Sequence, residues 1–358
     1  MKITDIQLSN LSIPLKTPFK TALRTVSKVE DILVKIYTDT GHIGIGSAAP
    51  TALITGETIG SIKAAIEDHI KKKIIGLSMD NFEELMINLQ KSILKNTSAK
   101  AAIDMALYDL YGKLYKAPVY KLMGGYRREI ITDITISLNK PEEMLSDSLN
   151  AIEEGFKTLK IKIGKDFKKD ISLLKRIREK VGDEIHIRLD ANQGWSPKEA
   201  VYILNSMQDA GIRIELIEQP VSGKDLEGLK FVTDNVSVPV LADESAFSPL
   251  DVFKIIQMRA ADLINIKLMK TGGIYNALKI CAMAESVQME CMMGCMLESK
   301  VSVTAAAHLA CAKSIITKID LDPPILCMED PIDGGALYKG NKIILSDEPG
   351  FGIKGIKQ

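Results

Sequence analysis

The fold is decided by five apolar segments in the middle of the chain: TLKIKI at 158–163, IHIRLD at 185–190, IELIE at 214–218, VPVLAD at 238–243 and LINIK at 263–267. Each carries a charged residue at or beside its end, at positions 162, 190, 218, 243 and 267, so the repeat is 28, 28, 25 and 24 residues long. Apolar residues between the segments have helical spacing, as in Lys168–Lys180 and Pro197–Ala210. Short strands that alternate with helices of this length predict an α/β fold with a parallel sheet.

Three further segments continue this alternation on both sides. They are Ile131–Leu138, Met289–Gly294 and Ile315–Asp320. Eight strand segments in one alternating series predict a closed barrel, which we assign to residues 126–322. The last residues, 323–358, are rich in Gly and Pro and too few for another domain, so we expect them to pack back on the N-terminal unit.

Residues 1–125 have a different pattern, typical of a compact α+β unit. Strand-like alternation at Ile3–Leu11, Asp31–Tyr37 and His42–Gly46 comes first, and helical spacing follows over 56–75, 80–95 and 97–116. A hairpin turn is predicted at Thr38–Gly41. The glycines of Gly41–Gly46 resemble a phosphate-binding loop, but no helix follows them, so we interpret this segment as a turn as well.

Composition and charge exclude several classes of protein. Lys plus Arg and Asp plus Glu both total 46, and this balance argues against a nucleic-acid partner or a polybasic membrane contact. No apolar run is long enough to cross a membrane, and Met1–Ile6 does not resemble a signal peptide, so we expect a cytoplasmic protein. Five cysteines without a CxxC pair and four isolated histidines predict neither a disulfide framework nor a zinc site.

The charged strand ends are the candidate site. The carboxyl ends of parallel barrel strands meet at one mouth, where barrel enzymes have their active sites. Three neighbouring ends carry Asp190, Glu218 and Asp243, an oxygen-only set that favours magnesium, manganese or calcium over zinc. Asn192 is either a residue near that metal or an ordinary turn asparagine.

Lysines stand on two sides of this predicted metal site. Lys160 and Lys162 share one strand face, so we expect each to lower the pKa of the other and leave one amine free as a base. Lys267 approaches from the sixth strand, roughly opposite. A lysine on each side of a metal-held carboxylate substrate predicts a two-base epimerisation through an enediolate, whereas a single such lysine would more simply form a salt bridge. Cys295 could line the pocket, and His308 is expected to be packed in the core.

Five motifs resemble the enolase superfamily, and within it the muconate-lactonising subgroup: Lys160-Ile-Lys162, Asp190-Ala-Asn-Gln-Gly-Trp195, Glu218-Gln-Pro220, Asp243-Glu-Ser245 and Asn265-Ile-Lys267. The resemblance covers nearly the whole chain. It implies a modified TIM barrel, (β/α)7β, with an N-terminal capping domain, a homo-oligomer, and one Mg²⁺ per subunit on Asp190, Glu218 and Asp243. It also implies that Lys162 and Lys267 transfer protons while Lys160 contacts the substrate.

Two segments resemble the dipeptide epimerases of this subgroup. Asp320-Leu-Asp322 is similar to the aspartate pair that holds the substrate's α-ammonium, and the segment around Arg24 is similar to the capping loop of the Ala-Glu epimerases. The same resemblance implies that Thr135 and Cys295 line the substrate pocket. We therefore expect a dipeptide epimerase that inverts the α-carbon of the C-terminal residue, with a dipeptide of cell-wall peptide turnover as its small-molecule partner.

Three alternatives stay open at this point. The nearest is an N-acylamino acid racemase or an o-succinylbenzoate synthase of the same subgroup. The second is a barrel enzyme that forms a Schiff base through a lysine. The third is a barrel that has kept its fold only as a binding or scaffold protein.

Overall fold

The computed structural model describes residues 1–21, 25–164 and 166–357. It begins with a three-stranded antiparallel sheet of β1 (Ile3–Lys20), β2 (Thr25–Thr38) and β3 (Ile43–Ala48), in the order β1-β2-β3. The first two strands pair from Ile3 with Thr38 to Lys20 with Thr25, so they are longer than the alternation predicted. Helices then cover the sheet: α1 (Ile59–Ala64), a π-helical segment (Ala65–Ile70), α2 (Lys71–Ile74), a 3₁₀ turn (Met79–Asn81), α3 (Phe82–Lys91), α4 (Thr97–Leu114) and α5 (Val119–Leu122).

Helix α4 packs directly on β3, and two glycines allow this close approach. A Cβ atom at Gly46 would lie 2.0 Å from the carbonyl oxygen of Ala102, and one at Gly44 would lie 2.2 Å from that of Ala106. The strand predicted at His42–Gly46 is therefore confirmed from Ile43 onward, and the interpretation of Gly41–Gly46 as a turn holds only for its start. Gly41 lies in the turn, with φ of +80°, but Gly44 and Gly46 lie in the strand because only glycine fits against the helix backbone.

The barrel follows as eight parallel strands in chain order: β5 (Ile134–Ile136), β6 (Thr158–Lys162), β7 (His186–Asp190), β8 (Leu216–Glu218), β9 (Val240–Ala242), β10 (Leu263–Ile266), β11 (Cys291–Met293) and β12 (Ile316–Ile319), after the short strand β4 (Glu129–Ile131). The first and last strands meet where the Asp133 amide donates to the Ile319 carbonyl at 3.2 Å. The predicted α/β barrel with a capping unit is thus confirmed.

Helices connect these strands and surround them: α6 (Pro141–Glu153), α7 (Phe167–Val181), α8 (Pro197–Asp209), α9 (Leu226–Asn235), α10 (Pro249–Met258), α11 (Leu268–Thr271), α12 (Ile274–Ser286), α13 (Lys300–Ala312) and α14 (Pro323–Leu326). Local sequence explains their starts. In α8, Ser196 and Glu199 cap each other's backbone amides and Pro197 takes the first helical position.

The strand predicted over Ile131–Leu138 is interrupted in the structure. Ile131 ends β4, and only Ile134–Ile136 joins the barrel. Between them Asp133 turns into the barrel interior, where its carboxylate accepts from Arg188 at 2.7 Å. The interruption is also a change of sheet, since β4 pairs with β15 and β5 pairs with β6.

The C-terminal segment contacts both parts of the chain. It contains β13 (Ile332–Gly334), β14 (Leu337–Lys339), β15 (Lys342–Ile344) and β16 (Ile353–Ile356). β15 pairs with β4 beside the barrel, and the Phe351 amide donates to Asp109 of α4 at 2.8 Å. The domain limits at residues 125 and 322 stay predictions. Within the described residues, no helix has the length and apolar character required to span a membrane.

Candidate active site

A cavity lies where the barrel strands end and the N-terminal unit covers them. The N-terminal unit contributes Phe19, Thr21, Leu53 and Ile54. The barrel and the segment after it contribute Thr135, Lys160, Lys162, Asn192, Asp243, Glu244, Lys267, Cys295, Met296, Leu297, Asp320, Asp322, Pro323 and Leu326. The structure therefore brings most of the predicted site residues to one place, including both lysine-bearing strands.

The three predicted metal ligands stand side by side and are buried. Asp190 ends β7, Glu218 ends β8 and Asp243 directly follows β9, and none is more than 2% exposed. Each accepts an ion pair from a lysine. Lysines of the cavity wall lie close to all three: Lys162 Nζ is 2.5 Å from Asp190 Oδ2, Lys160 Nζ is 2.6 Å from Glu218 Oε2 and Lys267 Nζ is 2.6 Å from Asp243 Oδ2.

These ion pairs raise the pKa of two of the lysines. Burial disfavours the charged form of Lys160, but the carboxylates of Asp320, Glu218 and Asp190 outweigh it and hold its pKa well above the ordinary value. Burial acts on Lys267 in the same way, and Asp243 and Glu218 likewise raise its pKa. The predicted lowering of the pKa within the Lys160 and Lys162 pair supposes a cation on the three carboxylates and stays a prediction, since here these carboxylates face the lysines directly.

The acids respond to the same surroundings. Burial, reinforced by the charge of Asp190, raises the pKa of Glu218 to about 7. Burial also acts against ionisation of Asp243, yet Lys267 and Lys270 hold its pKa far below the ordinary value. Glu244 lies beside them with a pKa raised to about 8 by burial and by Asp243, and neither of its carboxylate oxygens has a hydrogen-bond partner among the described residues.

The donor set fits a hard divalent cation. The three side chains at the neighbouring strand ends are all carboxylates, and magnesium prefers such oxygen ligands. In the described ranges the carboxylates are turned toward lysine amines, and no three His, Cys, Asp or Glu side chains converge as a metal cluster. The two buried oxygens of Glu244 have no hydrogen-bond partner among the described residues, so the cavity has oxygen acceptors that its own donors do not satisfy.

Three residues that the sequence analysis did not assign hold these ligands in place. The Gln219 side-chain oxygen accepts from the Asp243 amide at 2.9 Å, so it ties the end of β8 to the end of β9. Asn265 Nδ2 donates to Glu218 Oε1 at 3.0 Å, and Lys270 Nζ lies 2.5 Å from Asp243 Oδ1. Asn265 could have been found from sequence, since it alternates with Lys267 and shares its strand face.

The aspartate pair Asp320 and Asp322 follows β12, which lies across the barrel from β7, β8 and β9, the strands of the predicted metal ligands. Asp320 Oδ2 accepts from Lys160 Nζ at 2.7 Å, and Asp322 Oδ2 accepts from the Thr135 amide at 2.7 Å. Burial together with the charge of Asp320 raises the pKa of Asp322 to about 6. Cys295 lies just beyond β11 and its thiol donates to the Asp320 carbonyl at 3.3 Å. Thr135 and Cys295 thus both line the cavity, and each also forms a hydrogen bond with one aspartate of the pair.

Asn192 and Arg24 are the two remaining residues predicted for the site. The backbone amide of Asn192 donates to Asp190 Oδ1 at 2.9 Å, and its φ of +44° is typical of a turn asparagine, so both interpretations of this residue remain compatible with its place in the cavity wall. Arg24 lies outside the described residues. Thr21, three positions before it, lines the cavity.

Comparison with known families covers most of the chain. The family described as "Mandelate racemase / muconate lactonizing enzyme, N-terminal domain" matches residues 3–124. The family described as "Enolase C-terminal domain-like" matches residues 143–356.

Individual relatives align over their full lengths. An L-Ala-D/L-Glu epimerase of Clostridium acetobutylicum is 60% identical over 356 residues, which cover 99% of each protein. A substrate-liganded structure of the L-Ala-D/L-Glu epimerase from Bacillus subtilis has a TM-score of 0.98 and 48% identity, and covers 100% of both chains. A dipeptide epimerase from Enterococcus faecalis, complexed with Mg and the dipeptide L-Leu-L-Tyr, has a TM-score of 0.95 and 42% identity over 99% of each chain.

Proposed function

This chain belongs to the enolase superfamily, as its motifs predicted, and from that premise we propose that it is a dipeptide epimerase that inverts the α-carbon of the C-terminal residue, with L-Ala-D/L-Glu as its substrate. One observation carries the proposal. Lys162 on β6 and Lys267 after β10 line the same cavity, and their strands are four positions apart in a barrel of eight, so the two amines face each other across it.

The two lysines act on opposite faces of the substrate's α-carbon. One, as the neutral amine, accepts the α-proton from its own face and becomes an ammonium, while the other, as an ammonium, donates a proton to the opposite face and becomes the amine, which inverts the configuration. Both side chains already contact carboxylates of the site, Asp190 for Lys162 and Asp243 for Lys267, so each is oriented before the substrate binds. Such orientation lowers the barrier because no alignment remains to be made in the transition state.

One Mg²⁺ per subunit would be held by Asp190, Glu218 and Asp243. When bound, it supplies positive charge against the negative charge that develops on the substrate carboxylate. Asn265 and Gln219 keep Glu218 and Asp243 in position through the hydrogen bonds described above. Support comes from the donor chemistry and from the Mg in the Enterococcus relative.

The aspartate pair would bind the α-ammonium at the N-terminal end of the dipeptide. Asp320 and Asp322 present negative charge to the cavity, and a dipeptide carries an α-ammonium that an N-acylamino acid lacks. Lys160 sits between this pair and the metal ligands and would contact the substrate carboxylate. This arrangement favours a dipeptide over the N-succinylamino acid of the alternative racemase.

The second residue of the dipeptide is set by the covering unit. Leu53 and Ile54 give this wall an apolar character that would also suit a dipeptide such as the L-Leu-L-Tyr bound by the Enterococcus relative. Arg24 would instead select a glutamate side chain by a charge-assisted contact. The identity to two L-Ala-D/L-Glu epimerases supports the acidic choice. A role in cell-wall peptide turnover, a cytoplasmic location and a homo-oligomeric assembly stay predictions.

A substrate panel tests the proposal. The purified protein with MgCl₂ is incubated in ²H₂O with L-Ala-L-Glu, L-Leu-L-Tyr and N-succinyl-L-glutamate, and inversion and loss of the α-proton signal are followed by NMR. We expect rapid epimerisation of L-Ala-L-Glu, slower reaction of L-Leu-L-Tyr and little of the N-succinyl compound. Fastest turnover of N-succinyl-L-glutamate would favour the racemase alternative instead.

A further inference from the structure

A fourth lysine, Lys270, lies behind the site and takes no part in the proton transfers. It belongs to α11, which begins directly after Lys267, and its side chain is completely buried. It does not line the cavity. Its ammonium group lies 2.5 Å from Asp243 Oδ1 and donates to the carbonyl oxygens of Asp243, at 2.5 Å, and Asn265, at 2.9 Å.

The two oxygens of the Asp243 carboxylate therefore have different neighbours. Oδ1 is buried and forms an ion pair with the buried Lys270 at 2.5 Å without hydrogen-bond geometry, whereas Oδ2 accepts a hydrogen bond at 2.6 Å from Lys267, a residue of the cavity wall. The backbone from which this carboxylate projects is fixed as well, since Gln219 accepts from the Asp243 amide. Only Oδ2 of Asp243 is thus paired with a lysine of the cavity wall, the side where a cation and a substrate would bind.

This division matters because hard cations differ in the carboxylate geometry that they accept. Mg²⁺ is small and takes six ligands in near-ideal octahedral geometry, whereas Ca²⁺ takes six to eight and frequently binds both oxygens of one carboxylate. A buried ammonium on Oδ1 prevents this two-oxygen mode, because releasing it would leave an unpaired buried charge.

We propose that Lys270 is a positioning residue that keeps Oδ1 of Asp243 occupied and so makes the site discriminate against Ca²⁺ in favour of Mg²⁺. The inference rests on the proposed function, since it takes Asp190, Glu218 and Asp243 as the ligands of a divalent cation. Lys270 acts through Asp243 and touches neither the substrate nor the reacting atoms.

The test compares two cations on the same apoprotein. Chelator-treated wild type, Lys270→Met and Lys270→Arg are titrated by calorimetry with MgCl₂ and, separately, with CaCl₂. Removing the charge of Lys270 strengthens both cations alike by relieving repulsion, so this effect cancels in the ratio of the two dissociation constants. We expect Lys270→Met to shift that ratio toward Ca²⁺ by about tenfold, while Lys270→Arg stays near wild type because it keeps a cation on Oδ1.

Lys100→Met is the matched control. Lys100 is another buried lysine that donates to a carbonyl, that of Gln90 at 2.9 Å, but it contacts no carboxylate of the site, so its loss should leave the ratio unchanged. Thermal melts establish that each variant is folded. If Lys270→Met does not fold, Lys270→Gln replaces it, since it keeps a donor for the two carbonyls without a charge, and the same direction of shift is expected.

The outcomes separate the two proposals. A folded Lys270→Met or Lys270→Gln protein with a ratio within about twofold of wild type would overturn the role of Lys270 while the metal site stands. An equal shift in Lys270→Arg would also overturn it, because packing and not the charge on Oδ1 would then be responsible. Failure of the wild type to bind either cation would overturn the metal site itself, and this inference with it.

Discussion

Replacing Asp322 by Asn should change which substrate the enzyme prefers. The carboxylate of Asp322 is 3% exposed and accepts from the Thr135 amide at 2.7 Å, and an Asn side chain has the same shape and can still accept this hydrogen bond. The variant therefore loses a negative charge with little disturbance of packing. Asp320 is less suitable for this test, because its carboxylate also neutralises Lys160 at 2.7 Å.

The size of the effect follows from the contact that is lost. A charge-assisted hydrogen bond between a buried carboxylate and an ammonium contributes about 1.5–3 kcal/mol. With about 1.4 kcal/mol for each factor of ten, kcat/KM for L-Ala-L-Glu should fall by about 10- to 150-fold. An N-succinylamino acid has no ammonium, so its kcat/KM should stay constant or rise, since an unpaired buried charge has been removed.

The assay measures kcat/KM of wild type and Asp322→Asn for L-Ala-L-Glu and for N-succinyl-L-glutamate under the same conditions. The ratio of the two values is the readout, because a general loss of folded enzyme lowers both equally. An equal loss on both substrates would refute the assignment of Asp322 to the α-ammonium. In that case the residue would serve only to shape the cavity.

Three further perturbations have definite expected results. Asp190→Asn, Glu218→Gln or Asp243→Asn should each lower activity by at least about a hundredfold, and chelation of the wild type should do the same until MgCl₂ is added back; full activity after exhaustive chelation would contradict the metal site. Arg24→Met should lower kcat/KM for Ala-Glu by about 10- to 100-fold and spare an apolar dipeptide, whereas uniform losses would assign Arg24 only to the shape of the cover. Burial lowers the pKa of His308 to about 3. Between about pH 6.5 and 3 the unfolded chain therefore binds a proton that the folded chain does not. As the pH falls through this range, the free energy of unfolding decreases by up to about 1.4 kcal/mol per pH unit. His308→Asn removes this loss, so the difference in Tm between wild type and variant should move in the variant's favour from pH 7 to pH 5, and an unchanged difference would contradict the reasoning.

The barrel could be predicted from sequence because its information is local. The five central strands are short apolar segments with a charged residue at or directly after their end, and they recur every 24–28 residues. The predicted ends of a strand were wrong where a pairing partner distant in the sequence determines them. The first strand continues to Lys20 because Phe19 and Lys20 pair with Val26 and Thr25 of β2 beyond a register shift. The strand predicted from Ile131 divides because β4 pairs with β15 and β5 pairs with β6.

The site shows the same limit. Its lysines and carboxylates are recognisable at strand ends, but the raised pKa of Lys160 depends on Asp320, which lies 160 positions away in the chain and 2.7 Å away in space. Lys270 was missed because a lysine one helical turn after Lys267 carries no signal of its own. Its role depends on α11 turning back beneath Asp243, which only the folded chain brings about.

Exchange of the α-proton in single-lysine variants tests the two-base mechanism most directly. Lys162→Ala and Lys267→Ala are each incubated in ²H₂O with L-Ala-L-Glu and with L-Ala-D-Glu, and deuterium at the α-carbon of the glutamate is measured by NMR. Neither variant should epimerise, because one face has lost its base. Each should exchange the α-proton of only one diastereomer, and the two variants should exchange opposite ones. Equal exchange of both diastereomers by both variants, or epimerisation by either, would contradict the account.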